Sequence, residues 1–170
     1  KINDQLQYMS KTIDDFRNFS QPNKERENFA VEEVIESALN LSEGSLKYAK
    51  IKAHTFTTEE HFIFGMRHEM MQVFMNLIKN VQDVVVEKKV QEAWLKFFVE
   101  DKDDSIEITI NDNAGGIDKN MIDKIFEPYF STKKKIQSSG IGLYMSKEII
   151  EKSMSGTISV TNGEYGAVFK

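Results

Sequence analysis

Two asparagines, Asn76 and Asn80, stand four residues apart in a stretch whose apolar residues recur at helical spacing. Asparagine forms helices poorly, so two of them in the middle of a predicted helix need an explanation. Residues four apart share a helix face, and carboxamide oxygens so placed could hold a hard cation such as Mg²⁺. Glu69, Gln72 and Asp83 lie on the same polar side. Taken alone, a solvated helix face explains this pattern more simply.

A second candidate group follows a predicted strand and consists of Asp112 and the small residues after it, Asn113, Ala114, Gly115, Gly116 and Ile117. A buried carboxylate at a strand end can accept a hydrogen bond from the exocyclic amine of a flat ligand. Small residues beside it let that ligand approach the backbone. An ordinary turn is the alternative, because Asp, Asn and Gly are common turn residues.

Two further segments could contact phosphate. Residues 125–133 combine aromatic side chains with Pro128 and lead into a lysine-rich stretch. An apolar anchor with a cationic tip predicts a mobile lid, although a solvated surface loop fits equally well. The sequence Ser139-Gly140-Ile141-Gly142-Leu143 then opens a predicted helix, where free N–H groups favour an anion. A Gly-x-Gly pair is weak by itself, since helix packing also uses it.

In their order and spacing, the four segments resemble the catalytic and ATP-binding domain of bacterial sensor histidine kinases. Residues 76–83 resemble the N box, 112–117 the first glycine box, 126–133 the F box and 140–143 the second glycine box. The resemblance covers roughly residues 28–170. It implies a Bergerat fold, in which helices cover one face of a mixed sheet, and it implies ATP and Mg²⁺ as ligands.

The resemblance also implies roles for individual residues. Asn80 becomes the Mg²⁺ ligand with Asn76 in support, and Asp112 the acceptor for the adenine amine. Gly116 would lie beside the base, and Lys133 against phosphate. The residues it places around the nucleotide are Asn76, Asn80, Asp83, Asp112, Ala114, Gly116, Ile117, Phe126, Lys133, Ser139, Gly140, Ile141, Gly142 and Leu143.

The sequence departs from the family pattern at several of these places. Ala114 and Ser138 stand where the first and second glycine boxes commonly have Gly, and Val84 stands where some members have a Tyr against adenine. The stretch between residues 133 and 140 is also short for a lid. These departures bear on activity more than on ATP binding.

The nucleophile of such kinases is a histidine in a helix, and residues 1–53 contain none. His68-Glu69 imitates the phosphoacceptor dipeptide but opens the predicted ATP-site helix. His54 and His61 lie in predicted strands and are interpreted as structural. No catalytic residue is therefore assigned in this chain, and we expect it to bind Mg·ATP without phosphorylating itself.

Residues 1–20 carry apolar side chains at the spacing of a coiled-coil seam, namely Ile2, Leu6, Met9, Ile13 and Phe16. An ordinary amphipathic helix is the alternative. The stretch resembles the end of the second helix of a dimerisation and phosphoacceptor domain, which predicts a helix end at 1–22, a linker at 23–28 and a catalytic domain at 29–170. The implied partners are the upstream phosphoacceptor helix, a second copy in the full-length protein and a response-regulator receiver domain.

Two other functions compete with this one. ATP hydrolases of the same superfamily, such as DNA gyrase, mismatch-repair ATPases and heat-shock chaperones, place a Glu four residues before the metal-binding Asn, where it activates water. Asn76 holds that position here and cannot take a proton, which favours a kinase. A non-enzymatic signalling module that acts through protein contacts is the second alternative.

Composition narrows the choice further. The 170 residues include no cysteine, which excludes disulfide scaffolds, thiolate metal sites and thiol catalysis. A net charge of −5 disfavours a nucleic-acid binder, and no apolar run is long enough to span a membrane. We expect a cytoplasmic location, alone or as the cytoplasmic part of a membrane-bound sensor.

The elements that must position these residues alternate between strands and helices, which predicts an α+β two-layer sandwich with strands paired by hairpins. Predicted helices cover 32–48, 67–88, 119–126 and 140–153. Predicted strands cover 51–56 and 61–64 as a pair, 93–100, 105–111, 157–161 and 167–169.

Overall fold

The computed structural model of the chain describes residues 25–131 and 140–170. Its strands are β1 (Glu27–Ala30), β2 (Lys52–Phe56), β3 (Phe62–Gly65), β4 (Trp94–Lys102), β5 (Ser105–Asp112), β6 (Val160–Asn162) and β7 (Ala167–Phe169). Its α-helices are α1 (Val31–Leu41), α2 (Glu43–Tyr48), α3 (Arg67–Lys88) and α4 (Gly142–Glu148). A 3₁₀ turn covers Ile122–Lys124, and a π-helical turn, Ile149–Ser153, continues α4.

Five strands form a mixed sheet in the order β2-β4-β5-β7-β6. β2 runs parallel to β4, whereas the other neighbours in this sheet are antiparallel. β1 and β3 form a separate antiparallel pair. The sheet and its helices give the α+β two-layer arrangement that the sequence predicts.

The core lies between one face of the sheet and the helices. Along β4, Leu95, Phe97 and Val99 are buried and point to the same face, because alternate residues of a strand do so. Helix α3 packs Phe74 edge-on against Phe97, with the ring centroids 6.0 Å apart. This contact fixes the helix over the sheet and thereby places the polar residues of α3.

Helix α3 has the bounds that its apolar periodicity predicts. Its inward side chains include Met70, Leu77 and Val81, which are all buried. The helix ends where Lys89 adopts a left-handed conformation with φ 54° and donates its N–H to the carbonyl of Val85. Asn76, Asn80, Val84 and Lys88 follow one another at four-residue steps and so share one side of the helix.

Several predicted elements are wrong in detail. The continuous helix at 32–48 is divided at Ser42, which is buried and donates its hydroxyl to the Met75 sulfur. The strands at 51–56 and 61–64 do not pair with each other, because β2 joins β4 and β3 joins β1. The helix at 119–126 is reduced to a 3₁₀ turn, and the strand at 157–161 lies at Val160–Asn162.

The apolar seam at residues 1–20 lies outside the described residues. Within residues 25–131 and 140–170, none of the helices combines the length and apolar character needed to cross a bilayer.

Candidate nucleotide-binding site

A cavity of about 380 Å³ opens between α3, the loop after β5, residues 121–131 and the start of α4. This volume falls within the range of small-molecule sites. The predicted site residues that line it are Asn80, Asp112, Ala114, Gly116, Ile117, Gly140, Gly142 and Leu143. Residues separated by more than sixty positions in the sequence therefore meet at one cavity.

Asp112 ends β5 at the cavity wall and is buried. Its Oδ1 accepts hydrogen bonds from the backbone N–H groups of Ala114, at 2.7 Å, and Ala167, at 3.3 Å. Its Oδ2 accepts none from the described residues. Burial raises the pKa of this carboxyl, and the two backbone N–H groups and the Lys88 ammonium offset the rise in part. The arrangement leaves one carboxylate oxygen for a donor in the cavity.

Two residues that the sequence analysis did not single out support Asp112. A Cβ at Gly166 would overlap the carbonyl and carboxylate oxygens of Asp112, so this position admits glycine alone. Lys88 donates from Nζ to the carbonyl oxygen of Ala114 at 2.9 Å and so fixes the loop after Asp112 to the end of α3. Gly166 comes from the β6–β7 connection, and its proximity to Asp112 has no signal in the sequence.

Gly116 has a positive φ of 68°, which favours glycine. A Cβ there would lie 2.6 Å from Oδ1 of Asn162, whose side chain accepts from the N–H of Ile117 at 2.8 Å and donates to its carbonyl at 2.7 Å. The group that comes close to Gly116 is therefore the Asn162 side chain, and its two hydrogen bonds to Ile117 hold the loop against β6.

Asn80 faces the cavity from α3. Its Nδ2 is buried and has no hydrogen-bond partner among the described residues. A half-turn of the carboxamide exchanges Nδ2 and Oδ1, so the group can offer either a donor or an acceptor. The predicted role of Asn80 in holding Mg²⁺ fits this carboxamide, because its oxygen can turn to the cavity and Mg²⁺ takes oxygen ligands.

Asn76 lies one turn before Asn80 but does not line the cavity. Its Nδ2 donates to the carbonyl oxygen of Gly142 at 3.2 Å and to Oγ of Ser146 at 3.3 Å. Ser146 in turn donates to the same carbonyl at 3.0 Å. Asn76 therefore joins α3 to the start of α4.

Three other predicted residues also lie outside the lining. Asp83 accepts from Nζ of Lys79 at 3.2 Å on the helix surface. Phe126 packs against the core, with Nζ of Lys147 5.6 Å from its ring centroid. Ile141 is buried. Lys133 and Ser139 fall outside the described residues.

The two glycines at the start of α4 differ in what surrounds them. Gly140 has φ 69°, and a Cβ there would lie 2.6 Å from the carbonyl carbon of Tyr129 and 2.8 Å from the carbonyl oxygen of Phe130. At Gly142 the nearest atom to a Cβ would be Oδ1 of Asn76 at 3.7 Å, an ordinary contact. The loop therefore needs glycine at 140, whereas position 142 has room for a methyl group.

Apolar side chains complete the cavity, and sequence analysis had not placed them around a ligand. Val84 lies one helical turn after Asn80, and Met121 and Ile125 are four residues apart in the segment around the 3₁₀ turn. Helical spacing could have indicated these three. Ala167 and Phe169 of β7 also line the cavity, but only the sheet pairing brings them there.

Known proteins are similar to this chain in sequence. A family model described as "Histidine kinase-, DNA gyrase B-, and HSP90-like ATPase" matches residues 65–170. The two-component sensor PprA of Pseudomonas aeruginosa is 28% identical over 140 residues, covering 80% of this chain and 15% of that protein. Sporulation kinase A of Bacillus subtilis is 31% identical over 117 residues, covering 68% of this chain and 18% of that protein. The chain thus spans less than a fifth of the length of either relative.

The fold is also similar to solved structures. The catalytic domain of histidine kinase ThkA superposes with a TM-score of 0.74 at 28% identity, covering 85% of this chain and 92% of that one. ThkA has also been solved in complex with the response regulator protein TrrA. That structure superposes with a TM-score of 0.72 at 24% identity and covers 99% of this chain and 47% of that one.

Proposed function

Because the chain belongs to the family of histidine kinase-, DNA gyrase B- and HSP90-like ATPases and is a catalytic ATP-binding domain of the histidine kinase type, we propose a phosphotransfer reaction for it. The γ-phosphoryl group of Mg·ATP passes to a histidine on an upstream helix. From there it passes to an aspartate of a response-regulator receiver domain. The observation that best supports ATP as the ligand is the Asp112 carboxylate, which is buried at the cavity wall and whose Oδ2 accepts no hydrogen bond from the described residues.

Base recognition follows from this carboxylate. With Oδ1 occupied by backbone N–H groups, Oδ2 accepts a hydrogen bond from the adenine amine. Guanine carries a carbonyl oxygen at the corresponding place, and two acceptors facing each other repel. The apolar side chains of Val84 and Ile125 provide a surface for the flat base.

Mg²⁺ would be held by Asn80 together with phosphate oxygens of ATP, and it would neutralise charge on those phosphates. Asn80 is the described residue of α3 whose carboxamide faces the cavity without a protein partner. Asn76 supports it indirectly, because its bonds to Gly142 and Ser146 hold α4 against α3.

Phosphates would lie near Gly140 and Gly142, where α4 begins at the cavity wall. Lys133, the predicted lid contact, and Ser139, which precedes the glycine pair, are proposed for this role from the sequence. A cation from the lid would offset the charge that develops on the transferred phosphoryl group.

A kinase fits the site better than a hydrolase. Hydrolysis needs a group near the γ-phosphate that takes a proton from water, and the position from which related hydrolases supply it holds Asn76. The carboxamide of Asn76 cannot take that proton, and it is already bonded to α4. We therefore assign the acceptor role to a histidine outside this chain.

The partners of the domain follow from this assignment. We propose that the upstream phosphoacceptor helix, a second copy of the full-length protein and a response-regulator receiver domain all contact it. The crystal structure of ThkA in complex with a response regulator supports the proposed contact with a receiver domain. The cytoplasm supplies ATP, and we propose that the domain acts there.

Calorimetric titration with ATP and GTP tests the assignment of the base site. We expect the chain to bind ATP and to reject GTP. In Asp112→Asn, Oδ1 still accepts from the backbone, but an N–H group replaces Oδ2. Loss of a charge-assisted hydrogen bond costs about 1.5–3 kcal/mol, or about 10- to 100-fold in ATP affinity.

Asp123→Asn is the matched control, since Asp123 is exposed in the 3₁₀ turn and does not line the cavity. It should bind ATP as the parent chain does. Equal affinity of the parent chain for ATP and GTP would show that Asp112 does not select the base.

A further inference from the structure

A second group of ionisable side chains lies at the end of the sheet opposite the nucleotide cavity. Glu59 and His61 belong to the connection between β2 and β3, and Asp101 lies near the end of β4. In the pairing of β4 with β5, Leu95 faces Asp112 whereas Asp101 faces Ile106. Six residues of extended strand, or about 20 Å, therefore separate the two ends.

The imidazole of His61 is held in one orientation. Its side chain is 3% exposed, and its Nδ1 forms a 2.7 Å hydrogen bond with Oε1 of Glu32. The backbone N–H of His61 donates to Oε2 of Glu32 at 3.0 Å, and Thr57 donates to Oε1 at 3.2 Å. In the neutral ring this keeps the proton on Nδ1 and leaves the lone pair on Nε2.

Nε2 of His61 lies near the Asp101 carboxylate without bonding to it. Its distance to Oδ1 of Asp101 is 4.0 Å, which is too long for a hydrogen bond, and within the described ranges no other group bonds to it. One atom each from Glu59, His61 and Asp101 lie within 4.8 Å of one another. The imidazole of a buried side chain thus lies close to two acidic side chains.

The spacing of these atoms is close to that of a metal site. In a tetrahedral site, two ligands that are each about 2.1 Å from the ion lie about 3.4 Å apart. The observed spacing of up to 4.8 Å therefore needs a contraction of about 1.4 Å. Glu59 and Asp101 can make this movement because both are exposed, whereas His61 stays fixed.

We propose that Glu59, His61 and Asp101 bind a divalent transition-metal ion of the zinc type. Imidazole with carboxylates is a ligand set that suits Zn²⁺ and its neighbours, whereas Mg²⁺ prefers oxygen alone. Glu32 is the positioning residue, since ligating histidines commonly donate their other ring N–H to a carboxylate. Water completes the coordination.

The bound ion would join parts of the fold that backbone pairing leaves separate. His61 directly precedes β3 of the two-stranded sheet, and Asp101 belongs to β4 of the five-stranded sheet. The sequence analysis interprets His61 as structural, and the proposal adds a metal-binding role to this residue. Spacing among the three histidines could not indicate this site, because Asp101 lies forty residues farther along the chain.

Titration of the chelator-treated, nucleotide-free 170-residue chain with ZnCl₂ tests this proposal. We expect one saturable site by calorimetry, and at least a tenfold loss of affinity in Asp101→Asn and in Glu59→Gln, since one of three ligands is removed from each. Both substitutions are at exposed positions, so the fold is retained. Glu60→Gln is the matched control, because Glu60 is an exposed neighbour outside the cluster, and it should bind as the parent does.

Two more measurements make the result specific. Zn²⁺ should raise the Tm of the parent chain and of Glu60→Gln, but not that of a Glu59→Gln, Asp101→Asn double variant. By NMR, the Nε2 resonance of His61 should shift on zinc addition. The absence of saturable binding, its survival in the double variant, or its loss in His54→Gln or His68→Gln would overturn the proposal.

Discussion

Asp112 combines two requirements that conflict in most proteins, burial and negative charge. Two backbone N–H groups and the nearby Lys88 favour its ionised form, yet burial has the larger effect and raises its pKa. A ligand that fills the cavity and displaces water from it can therefore donate a strong hydrogen bond to the carboxylate. Burial of the Asp112 carboxylate destabilises the empty site, and it also makes the site selective for a ligand with a hydrogen-bond donor.

This raised pKa predicts how stability depends on pH. The folded chain holds a proton on Asp112 at pH values where the unfolded chain has lost it, so the free energy of unfolding falls as pH rises from about 3.8 through the folded pKa. Asp112→Asn lacks this ionisation. Urea unfolding at a series of pH values from 3.5 to about 7 should show the variant gaining stability relative to the parent as pH rises.

One result of the urea experiment would contradict the raised pKa of Asp112. If the difference between the two unfolding free energies is constant with pH, Asp112 has the same pKa in both states, and burial does not act on it as described. Asp123→Asn, at an exposed position, provides the baseline for the substitution itself.

Asn80 should affect metal-dependent binding. Asn80→Ala removes the unpaired carboxamide at the cavity, so ATP affinity should fall when Mg²⁺ is present and change little when EDTA removes it. Isothermal titration with and without Mg²⁺ measures both. Retention of the parent's full dependence on magnesium would place the metal elsewhere.

At the scale of elements, the two glycines at the start of α4 differ in how strongly the fold depends on them. Gly140→Ala forces a side chain against the backbone of residues 129 and 130 at a positive φ, so it should lower the free energy of unfolding by more than about 1 kcal/mol. Gly142→Ala meets an ordinary contact in the first turn of the helix and should leave stability within about 1 kcal/mol of the parent.

Chemical denaturation compares the two variants, and each is the control for the other. Since a methyl group at 142 projects beside the cavity, Gly142→Ala should also weaken ATP binding while the fold persists. Equal losses of stability in the two variants would contradict the difference in their surroundings.

Elements formed by interactions between residues close in sequence could be predicted, whereas those that depend on residues distant in sequence could not. Helix α3 could be predicted because its own apolar periodicity sets its bounds, and Asp112 and Gly140 lie in short local motifs. The partner of β2 could not be predicted, because its pairing with β4 joins residues 42 positions apart, such as Lys52 and Trp94. Lys88 and Gly166 were missed for the same reason, since each acts on a loop distant in sequence.

At the scale of the whole molecule, the proposed function places the nucleotide site and the nucleophile in different parts of the protein. Helix α3 is continuous from Arg67 to Lys88, so His68 is separated from Asn80 by twelve residues, or about 18 Å along the axis. An in-line transfer needs the nucleophile about 3–3.5 Å from phosphorus. His68 cannot reach phosphate held at Asn80 unless α3 breaks.

The most direct test of the proposed function follows ATP radiolabelled at its γ-phosphate. The 170-residue chain is incubated with Mg·ATP, with and without a separately supplied dimerisation and phosphoacceptor domain. We predict no label on the chain alone, and acid-labile label on the supplied domain that disappears when its acceptor histidine is replaced or when the chain contains Asp112→Asn. Acid-labile label on the isolated chain that vanishes in His68→Ala, or release of inorganic phosphate without transfer to the domain, would contradict this account.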